Sequence, residues 1–370
     1  MTSPRVTVLV AFFNDEAFIA RSIESILGQT FPAFELLLIN DGSTDRSREI
    51  AASFQDERIV LLDNETNIGL TKSLNRGLAA ARGELIARLD SNDVAYPQRI
   101  AKQVSFLDCH PEVVAVGAQA RFVRPNRKVV RRGALARPIT PEGIDWSLMF
   151  YSPIIHPASM YRKSAASELG GYDERFTTAQ DMDLWSRLAT RGRLANLPET
   201  LIEMLVDPSS ISGYRTSAKR WRMIGNVSRT MANNIRRLTQ QDVLPEAWPE
   251  LWVRLLYGDP ELPPEDVLRV LDLLDETRMR FAWIRPETRR NREIADQVAF
   301  FCEHAAFEIA PRSKATACRA FVRAIKSSFR RSAPGIPRML LRLLLGDAAV
   351  TLWRRMVYRA SVPVRRRDIK

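Results

Sequence analysis

The stretch that decides the fold lies at residues 85–93, which read LIARLDSND. The mainly aliphatic residues 85–89 predict a short buried strand, and the polar residues 90–93 follow it without a spacer. A strand that ends directly in carboxylates and an amide places these groups at one edge of a sheet. This segment therefore predicts a polar site at the end of a strand.

The same strand-to-polar transition recurs along the first 120 residues. Predicted elements alternate in type, with strands at 6–11, 34–39 and 58–62 and helices at 15–27, 45–54 and 70–82. Strands that alternate with helices indicate βαβ units. The predicted fold class is therefore α/β, with a mixed, mainly parallel sheet and helices on both of its faces.

Polar residues follow each predicted strand at the same relative position. They are residues 13–14, 41, 64–67 and 90–93. In parallel sheets, ligands bind beyond the carboxyl ends of the strands. Because packing does not require four polar segments at one edge, this regularity predicts a binding site there.

The second of these segments reads Asp41-Gly42-Ser43-Thr44-Asp45. An aspartate at a strand end can accept hydrogen bonds from the edge of a nucleobase, and Gly42 permits a tight turn after it. Ser43 or Thr44 can cap the following helix. An ordinary strand–turn–helix with a capping aspartate is the alternative interpretation.

The acidic segment at residues 90–93 is suited to a divalent cation. Hard cations prefer carboxylate oxygens, and a cation between protein and diphosphate would stabilise a departing phosphate group. Helix capping by the same carboxylates is the alternative interpretation.

Residues 5–206 resemble family 2 glycosyltransferases of the GT-A fold. The resemblance rests on six segments in family order, at residues 8–14, 39–45, 67–70, 87–93, 170–173 and 180–185. Each segment is weak alone, and together they form a specific signal. It implies an inverting transfer of a hexosyl or deoxyhexosyl group from a nucleotide-sugar donor, and it does not cover the C-terminal 150 or so residues.

The resemblance assigns roles to individual residues on the donor side. The implied donor-binding residues are Ala11, Phe12, Phe13, Asn14, Glu16, Asp41, Asn67, Gly69, Lys72, Asp90 and Ser91. Asp41 would contact the nucleobase, and Lys72, in the first turns of a helix, suits a phosphate. A solvated surface lysine is the alternative for Lys72.

The implied metal site departs from the usual pattern of the family. Asp90, Asn92 and Asp93 are the candidate ligands of Mn²⁺ or Mg²⁺, and Asn92 stands where many relatives carry an aspartate. An amide oxygen can coordinate a cation but brings less charge. Asp207 stands where relatives often carry a histidine, and two interpretations of it remain open: a metal ligand, or a turn residue before Pro208.

On the acceptor side, Asp181 is the candidate catalytic base. An attacking hydroxyl must lose its proton, and a carboxylate within hydrogen-bond reach can accept it. Asp183 is an alternative base or a supporting residue, and a plain carboxylate in the first turn of a helix is the structural alternative for Asp181. His156 and Trp185 could contact a sugar, with structural packing as the alternative for both.

Charge is concentrated at the C-terminus. The whole chain has a net charge of +12, and residues 312–370 alone contain 16 Lys and Arg residues against two acids. Residues 336–358 mix apolar and arginine residues, a pattern that suits an anionic membrane surface. A packed helical subdomain or an oligomer interface is the alternative, and nucleic-acid binding is disfavoured because interleaved aromatic motifs are absent.

The chain is expected to divide at residue 212. Residues 1–212 form the transferase domain, with a donor half (1–110) and an acceptor half (111–212), and residues 213–370 form a mostly helical basic region. Three scattered cysteines, a short apolar segment at the N-terminus and no long apolar run indicate a cytoplasmic protein. The basic residues 336–370 favour a peripheral position on the inner face of the membrane.

The expected function is synthesis of a surface polysaccharide, lipopolysaccharide or glycolipid from a saccharide or lipid-linked acceptor. A sugar-phosphate nucleotidyltransferase is disfavoured because the first loop, at residues 12–15, lacks the expected glycine-rich pattern. A non-catalytic protein that keeps the fold as a scaffold or membrane-binding module is the remaining alternative. Binding of a donor nucleotide distinguishes it from an enzyme.

Overall fold

The computed structural model describes residues 3–125, 129, 136–206, 217–240, 247–256, 259, 261–328, 332 and 339. The chain divides by its internal contacts into two units, residues 1–240 and residues 241–370.

Four parallel strands form the first half of an eight-stranded sheet. They are β1 (Val6–Phe12), β2 (Phe34–Asn40), β3 (Ile59–Asp63) and β4 (Leu85–Arg88), in the spatial order β3-β2-β1-β4. Strands β1, β2 and β4 are buried along their whole length, as the continuous apolar runs in the sequence require.

Helices α1 (Ile19–Leu27), α2 (Ser47–Ser53) and α3 (Leu70–Ala80) connect these strands. Helix α1 buries Ile19, Ile23 and Ile26, the face that the spacing of three and four residues predicts. The predicted alternation of strands and helices is confirmed.

The second half of the sheet is mixed. Its elements are β5 (Val94–Ala95), α4 (Arg99–Cys109), β6 (Val113–Val123), α5 (Pro141–Leu148), β7 (Met160–Arg162), α6 (Lys163–Glu168), α7 (Gln180–Leu188) and β8 (Arg193–Leu205). Strand β7 runs antiparallel to β4 and β6, and β6 runs parallel to β8. The sheet continues from β4 as β7-β6-β8-β5, so it joins the two halves of the unit.

Helix α8 (Ser217–Thr239) also belongs to the first unit. The Asn234 amide donates to Leu148 O and Ser186 Oγ, both at 2.7 Å. The expected division at residue 212 assigned this helix to the C-terminal region. The helix groups with the first unit because its buried face packs there, a relation that local periodicity does not report.

The second unit is helical. Helices α9 (Trp248–Leu256), α10 (Pro264–Ile284), α11 (Arg292–Ile309) and α12 (Lys314–Ser327) share a core in which Trp252 packs edge-on to Phe301. The predicted C-terminal helical region is confirmed. Within the described residues, no helix combines the length and the apolarity needed to cross a membrane.

Candidate active site

The carboxyl ends of β1, β2, β3 and β4 lie at one edge of the sheet because these strands are parallel. All four polar segments predicted from the sequence begin at this edge. The structure therefore brings residues 13–16, 41–47, 64–69 and 90–93 into one region.

The loop after β1 is tied to the segment after β2. Asn14 Oδ1 accepts from the Thr44 amide at 2.8 Å, and Ser43 Oγ accepts from the Asn14 amide at 3.1 Å. Glu16 Oε2 accepts from the Arg46 amide at 3.1 Å. Asn14 adopts φ 55°, which is uncommon outside glycine, so the backbone of this loop is held in an unusual conformation by its partners.

Asp41 is a buried junction between the second and third polar segments. Its Oδ1 accepts from Asn64 Nδ2 at 2.8 Å and from the Ile68 amide at 2.9 Å, and its Oδ2 accepts from the Gly69 amide at 3.0 Å. The carboxylate thus fixes the loop that leads into α3. Contact between Asp41 and a nucleobase stays a prediction, and any such contact would use the remaining lone pairs of these oxygens.

Gly42 permits the close approach of these two segments. It has φ 72°, and a Cβ at this position would lie 2.6 Å from the carbonyl carbon of Thr66 and 2.7 Å from the Asn67 nitrogen. A side chain would therefore displace residues 64–69. The predicted requirement for glycine in this turn has a steric cause as well as a conformational one.

The segment at residues 90–93 divides its side chains between surface and interior. Asp90 is 37% exposed, and its Oδ1 accepts from Arg88 Nη2 at 2.6 Å. Ser91 is buried and donates to Asp15 Oδ2. Asn92 is half-buried, so Asp90 and Asn92 are the members of this segment with solvent access.

Asp93 points into the protein. Its Oδ1 accepts from the Leu205 amide at 2.9 Å, while Oδ2 is buried without a hydrogen-bond partner. Burial and the nearby charge of Asp90 raise the pKa of Asp93 well above its ordinary value. Its position indicates a role in joining β8 to the 90–93 segment.

Two buried arginines lie behind this segment. Arg99 donates to Arg88 O at 2.6 Å and to Ser159 O at 3.1 Å, and burial lowers its pKa to about 9. Arg88 donates to Leu9 O at 3.3 Å as well as to Asp90. Both side chains compensate carboxylates and carbonyls that would otherwise be buried without partners.

A buried aromatic cluster, defined here as His156, Tyr161, Tyr172 and Trp185, lies within electrostatic reach of Arg88. His156 Nε2 lies 2.9 Å from the Tyr172 hydroxyl, which lies 3.3 Å from the Tyr161 hydroxyl. Burial and Arg88 hold the pKa of His156 well below its ordinary value, so the ring is neutral at pH 7. Burial raises the pKa of Tyr172, so its hydroxyl keeps its proton.

Trp185 belongs to the packing of this cluster. It is fully buried, and its ring meets His156 and Tyr161 edge-on at centroid distances of 6.1 and 5.9 Å. A buried ring has no face open to a sugar in this arrangement. Of the two interpretations of Trp185, the structure favours core packing.

Asp181 lies at the start of α7, beside the aromatic cluster. The side chain is half-buried, and its charge acts on the Tyr172 hydroxyl. The Ser152 hydroxyl, which donates to Ile154 O at 2.8 Å, also lies within hydrogen-bond reach of the Asp181 carboxylate. Burial raises the pKa of Asp181 above the ordinary carboxyl value. Ala179, two residues earlier, has φ 59°, an uncommon conformation for alanine that sets the direction in which α7 begins.

Asp183 has a different environment from Asp181. Its Oδ2 accepts from Arg187 Nε at 2.9 Å and from Nη2 at 2.5 Å, one turn along the same helix. Arg187 also donates to Leu169 O and Gly171 O. Asp183 therefore orients Arg187, which in turn binds the backbone beside the turn at residues 170–171. These contacts favour a supporting role for Asp183 over that of a catalytic base.

Helix α3 is joined to the acceptor half by hydrogen bonds. Asn75 Nδ2 donates to Tyr172 O and Asn75 Oδ1 accepts from the Tyr172 amide, both at 2.8 Å, and Thr71 Oγ1 donates to Phe176 O at 2.7 Å. Both polar atoms of the Asn75 amide therefore bind the backbone of Tyr172. Lys72 and Asn67 are exposed at the donor edge.

Three further residues predicted to bind the donor lie at the end of β1. Ala11 and Phe12 are its last two residues and are buried, and Phe13 follows them with 42% exposure. Asp207 and residues 336–370, apart from Met339, lie outside the described residues. Among the residues that the structure describes, no group of three His, Cys, Asp or Glu side chains is arranged to hold a metal.

Sequence reasoning assigned no individual role to several residues that hold the site together. Arg88 carried a usable signal, because a charged residue inside an aliphatic strand must find a partner. Asp15, Asn64, Ser152 and Tyr172 carried no such signal, since their partners are distant in sequence.

Comparison with known proteins identifies the class. The model of glycosyl transferase family 2 matches residues 7–170. The chain is 39% identical over 213 residues to the putative glycosyltransferase EpsE of Bacillus subtilis, spanning 56% of this chain and 74% of that protein. It is 30% identical over 215 residues to the amylovoran biosynthesis glycosyltransferase AmsE of Erwinia amylovora, spanning 56% and 79%. The chain therefore belongs to glycosyl transferase family 2.

Solved structures resemble the fold at low sequence identity. Staphylococcus aureus TarS in complex with UDP-GlcNAc superposes with a TM-score of 0.54 at 18% identity, covering 88% of this chain and 92% of that one. The mannosyltransferase PcManGT of Pyrobaculum calidifontis, in complex with GDP-Man and Mn²⁺, gives 0.52 at 19% identity, covering 96% and 89%. The predicted GT-A fold class is confirmed.

Proposed function

We propose that this glycosyltransferase moves a hexosyl or deoxyhexosyl group from a nucleotide-sugar donor to an acceptor hydroxyl in one inverting step, with Asp181 as the base. One observation carries the proposal: Asp90 and Asp181 border the same buried cluster. Arg88 pairs with Asp90, and its charge acts on His156 and Tyr172, while the charge of Asp181 also acts on Tyr172. A donor at Asp90 and an acceptor at Asp181 would therefore be neighbours.

The donor nucleotide fits the edge formed by β1, β2 and β3. Polar groups of Asn14, Glu16 and Asp41 are rigidly placed there, and Phe13 and Ile68 are 42% and 40% exposed beside them. Exposed apolar side chains among fixed polar groups suit the planar ring of a nucleobase. Complexes of TarS with UDP-GlcNAc and of PcManGT with GDP-Man support a nucleotide sugar as the ligand.

A divalent cation fits the 90–93 segment if the donor supplies part of its coordination. Asp90 and Asn92 offer one carboxylate and one amide oxygen with solvent access, and the diphosphate would complete the set. Such an ion would neutralise charge on the leaving diphosphate. The Mn²⁺ of PcManGT supports this assignment, whereas the buried Asp93, bound to Leu205, is the weaker candidate ligand.

Asp181 would take the proton of the acceptor hydroxyl as the hydroxyl oxygen bonds to the anomeric carbon. The bond from that carbon to the diphosphate oxygen breaks, and its electron pair leaves with the nucleoside diphosphate. A carboxylate whose pKa is raised by burial is a better proton acceptor than an exposed one. The low pKa of His156 makes its ring a weak proton acceptor, and Tyr172 keeps its proton, so we assign the role of base to Asp181, which lies beside this cluster.

The acceptor class is a saccharide or a lipid-linked saccharide in the synthesis of a surface polysaccharide, lipopolysaccharide or glycolipid. The relationship to AmsE, an amylovoran biosynthesis glycosyltransferase, supports polysaccharide synthesis. We also propose a cytoplasmic location, peripheral to the inner face of the membrane. Unpaired thiols at the exposed Cys109 and Cys318 suit a reducing compartment.

A donor screen tests the function. UDP- and GDP-linked sugars are added with Mn²⁺ or Mg²⁺, and binding is followed by thermal shift and transfer by release of nucleoside diphosphate. The proposal expects at least one donor to bind and be consumed. Absence of binding by every donor would instead support the scaffold alternative.

The base assignment needs a matched pair of variants. Asp181→Asn should lower kcat by about 10²–10⁴ with unchanged donor affinity, while Asp183→Asn should cost stability and leave kcat within a few-fold of the parent. Both changes remove one charge from α7. Full transfer by Asp181→Asn, or a loss confined to Asp183→Asn, would exclude Asp181 as the base.

A further inference from the structure

The C-terminal end of α10 exposes two large apolar side chains. Trp283 is 72% exposed and Met279 is 66% exposed, the highest values for any large apolar residue in the described part of the chain. Exposed apolar residues at adjacent positions mark interaction surfaces more often than isolated ones do. The surrounding residues indicate what this pair contacts.

The two residues lie on one face of the helix because they are four positions apart. The opposite face of α10 is committed to the core of the second unit by Val267, Val270, Leu271, Leu274 and Phe281. Helix α10 thus buries one apolar face in the core of the second unit. It carries a second, smaller apolar group, Met279 and Trp283, on its outer side. Core packing does not account for that pair.

Positive charge follows this apolar pair in sequence, while the exposed Asp272 and Glu276 precede it on the same face of α10. Residues 278–292 contain six arginines and one glutamate. Arg289, Arg290 and Arg292 are exposed at the turn between α10 and α11, and Arg285 lies over the Phe281 ring with its guanidinium carbon 5.2 Å from the centroid. We call Met279, Trp283 and the exposed Arg280, Arg289, Arg290 and Arg292 the basic-apolar patch.

We propose that the basic-apolar patch docks on an anionic phospholipid surface. Tryptophan is favoured at the boundary between acyl chains and headgroups, methionine adds apolar contact, and arginines attract anionic headgroups. The helix would lie along the surface. The patch is separate in sequence from residues 336–370, so the two segments can be tested independently.

A second copy of the chain is the less suitable occupant. A two-fold interface brings identical patches together, so the four exposed arginines of each patch would face those of the other copy. An anionic bilayer neutralises these charges and accepts the apolar pair. Charge complementarity therefore favours the lipid surface.

Cosedimentation of the full-length protein with lipid vesicles tests the proposal. The vesicles contain phosphatidylcholine, with or without phosphatidylglycerol. Met279→Ser with Trp283→Ser removes the apolar pair, and Arg289→Glu with Arg290→Glu reverses two charges. Each double variant should bind vesicles containing phosphatidylglycerol about tenfold or more weakly.

Matched controls lie in the same unit. Val322→Ser removes another exposed apolar residue, and Lys314→Glu with Arg319→Glu makes the same change in charge on α12. Both controls should bind within about twofold of the parent, since they lie outside the patch. Nucleoside diphosphate release from the donor in solution should stay unchanged in all variants, which separates this test from that of the catalytic function.

Three outcomes would overturn the proposal. Equal binding to vesicles without phosphatidylglycerol would remove the anionic requirement. Parent-like binding by a correctly folded variant of either kind, judged by circular dichroism, would assign the membrane contact to other residues. A dimer in light scattering that dissociates on Trp283→Ser would show that the patch is an interface between copies.

Discussion

The guanidinium of Arg88 donates to Asp90 Oδ1 at 2.6 Å from a position that is only 1% exposed, while Asp90 is 37% exposed. A buried cation thus stands directly behind the carboxylate that faces the donor edge. The same cation also contributes to keeping His156 neutral. One residue of β4 therefore influences both the donor side and the acceptor side of the candidate site.

Arg88→Lys should reduce kcat/KM by about tenfold or more, because one ammonium cannot reproduce the two directed hydrogen bonds to Asp90 and Leu9 O. Donor affinity should fall as well, since Asp90 loses its fixed orientation. Steady-state kinetics over a range of donor concentrations, with a melting curve for each variant, measures both effects.

Arg82→Lys is the control for that experiment. Arg82 pairs with Glu35 through Nε at 2.6 Å, away from the carboxyl ends of the strands, and its side chain is 58% exposed. The Arg82→Lys variant should keep the kcat/KM and the donor affinity of the parent protein. Parent kinetics in Arg88→Lys as well would mean that the orientation of Asp90 does not depend on Arg88.

The position of the donor edge could be predicted from sequence because it follows from strand ends, which are local features. Residues 13–14, 41 and 90–93 each come directly after an apolar run, and the parallel pairing of β1, β2 and β4 brings them together. The role of Asp41 shows the limit of that reasoning. Its carboxylate was expected to face a ligand, and it also binds the backbone at Ile68 and Gly69.

Ser152→Ala should shift the acid limb of the kcat/KM profile to higher pH. Burial raises the pKa of Asp181, whereas the hydrogen bond from Ser152 lowers it, so removal of that bond raises the pKa further. Because the base must be ionised, activity is lost at a higher pH in the variant than in the parent. A pH–rate profile for parent and variant measures the shift.

Asp183→Asn provides the comparison, since it alters a carboxylate on the same helix without touching Ser152. Its acid limb should coincide with that of the parent. A shift of the same size in both variants would indicate a general change in charge at α7, and a shift to lower pH in Ser152→Ala would contradict the assignment of Asp181 as the base.

Gly42→Ala should destabilise the protein more than Gly170→Ala. Both glycines have positive φ, 72° and 80°, so alanine meets the same conformational penalty of about 1 kcal/mol at each. At Gly42 the added Cβ would also lie 2.6 Å from backbone of Thr66, while at Gly170 no atom lies within 4 Å. Chemical denaturation should therefore separate the two variants by about 1–3 kcal/mol.

Donor binding gives a second readout for the same pair. Displacement of residues 64–69 by Gly42→Ala would disturb the amides that Asp41 holds, so donor affinity should fall, whereas Gly170→Ala should keep it. Equal stability and equal affinity in the two variants would show that the 64–69 segment tolerates displacement.

The acceptor side was harder to predict because its contacts join distant parts of the chain. Asn75 and Tyr172 exchange hydrogen bonds across 97 residues, and Ser91 reaches Asp15 across 76. Hydrophobic periodicity reports only neighbours within one helix or strand. The resemblance to the family placed Asp181 at the start of a helix, but the different environments of Asp181 and Asp183 depend on Ser152 and Arg187, which only the folded chain brings to them.

The three cysteines should react with alkylating reagents at very different rates. Cys109 and Cys318 are exposed, whereas Cys302 is buried in α11, where burial raises the pKa of its thiol to about 12. Since the thiolate is the reactive form, Cys302 should be modified at least about 100-fold more slowly than the other two in the native protein at pH 8. Mass spectrometry should show two modified thiols under native conditions and three in denaturant. Rapid modification of Cys302 in the native protein would contradict the packing of α11 described here, because it requires both solvent access and an ionisable thiol at that position.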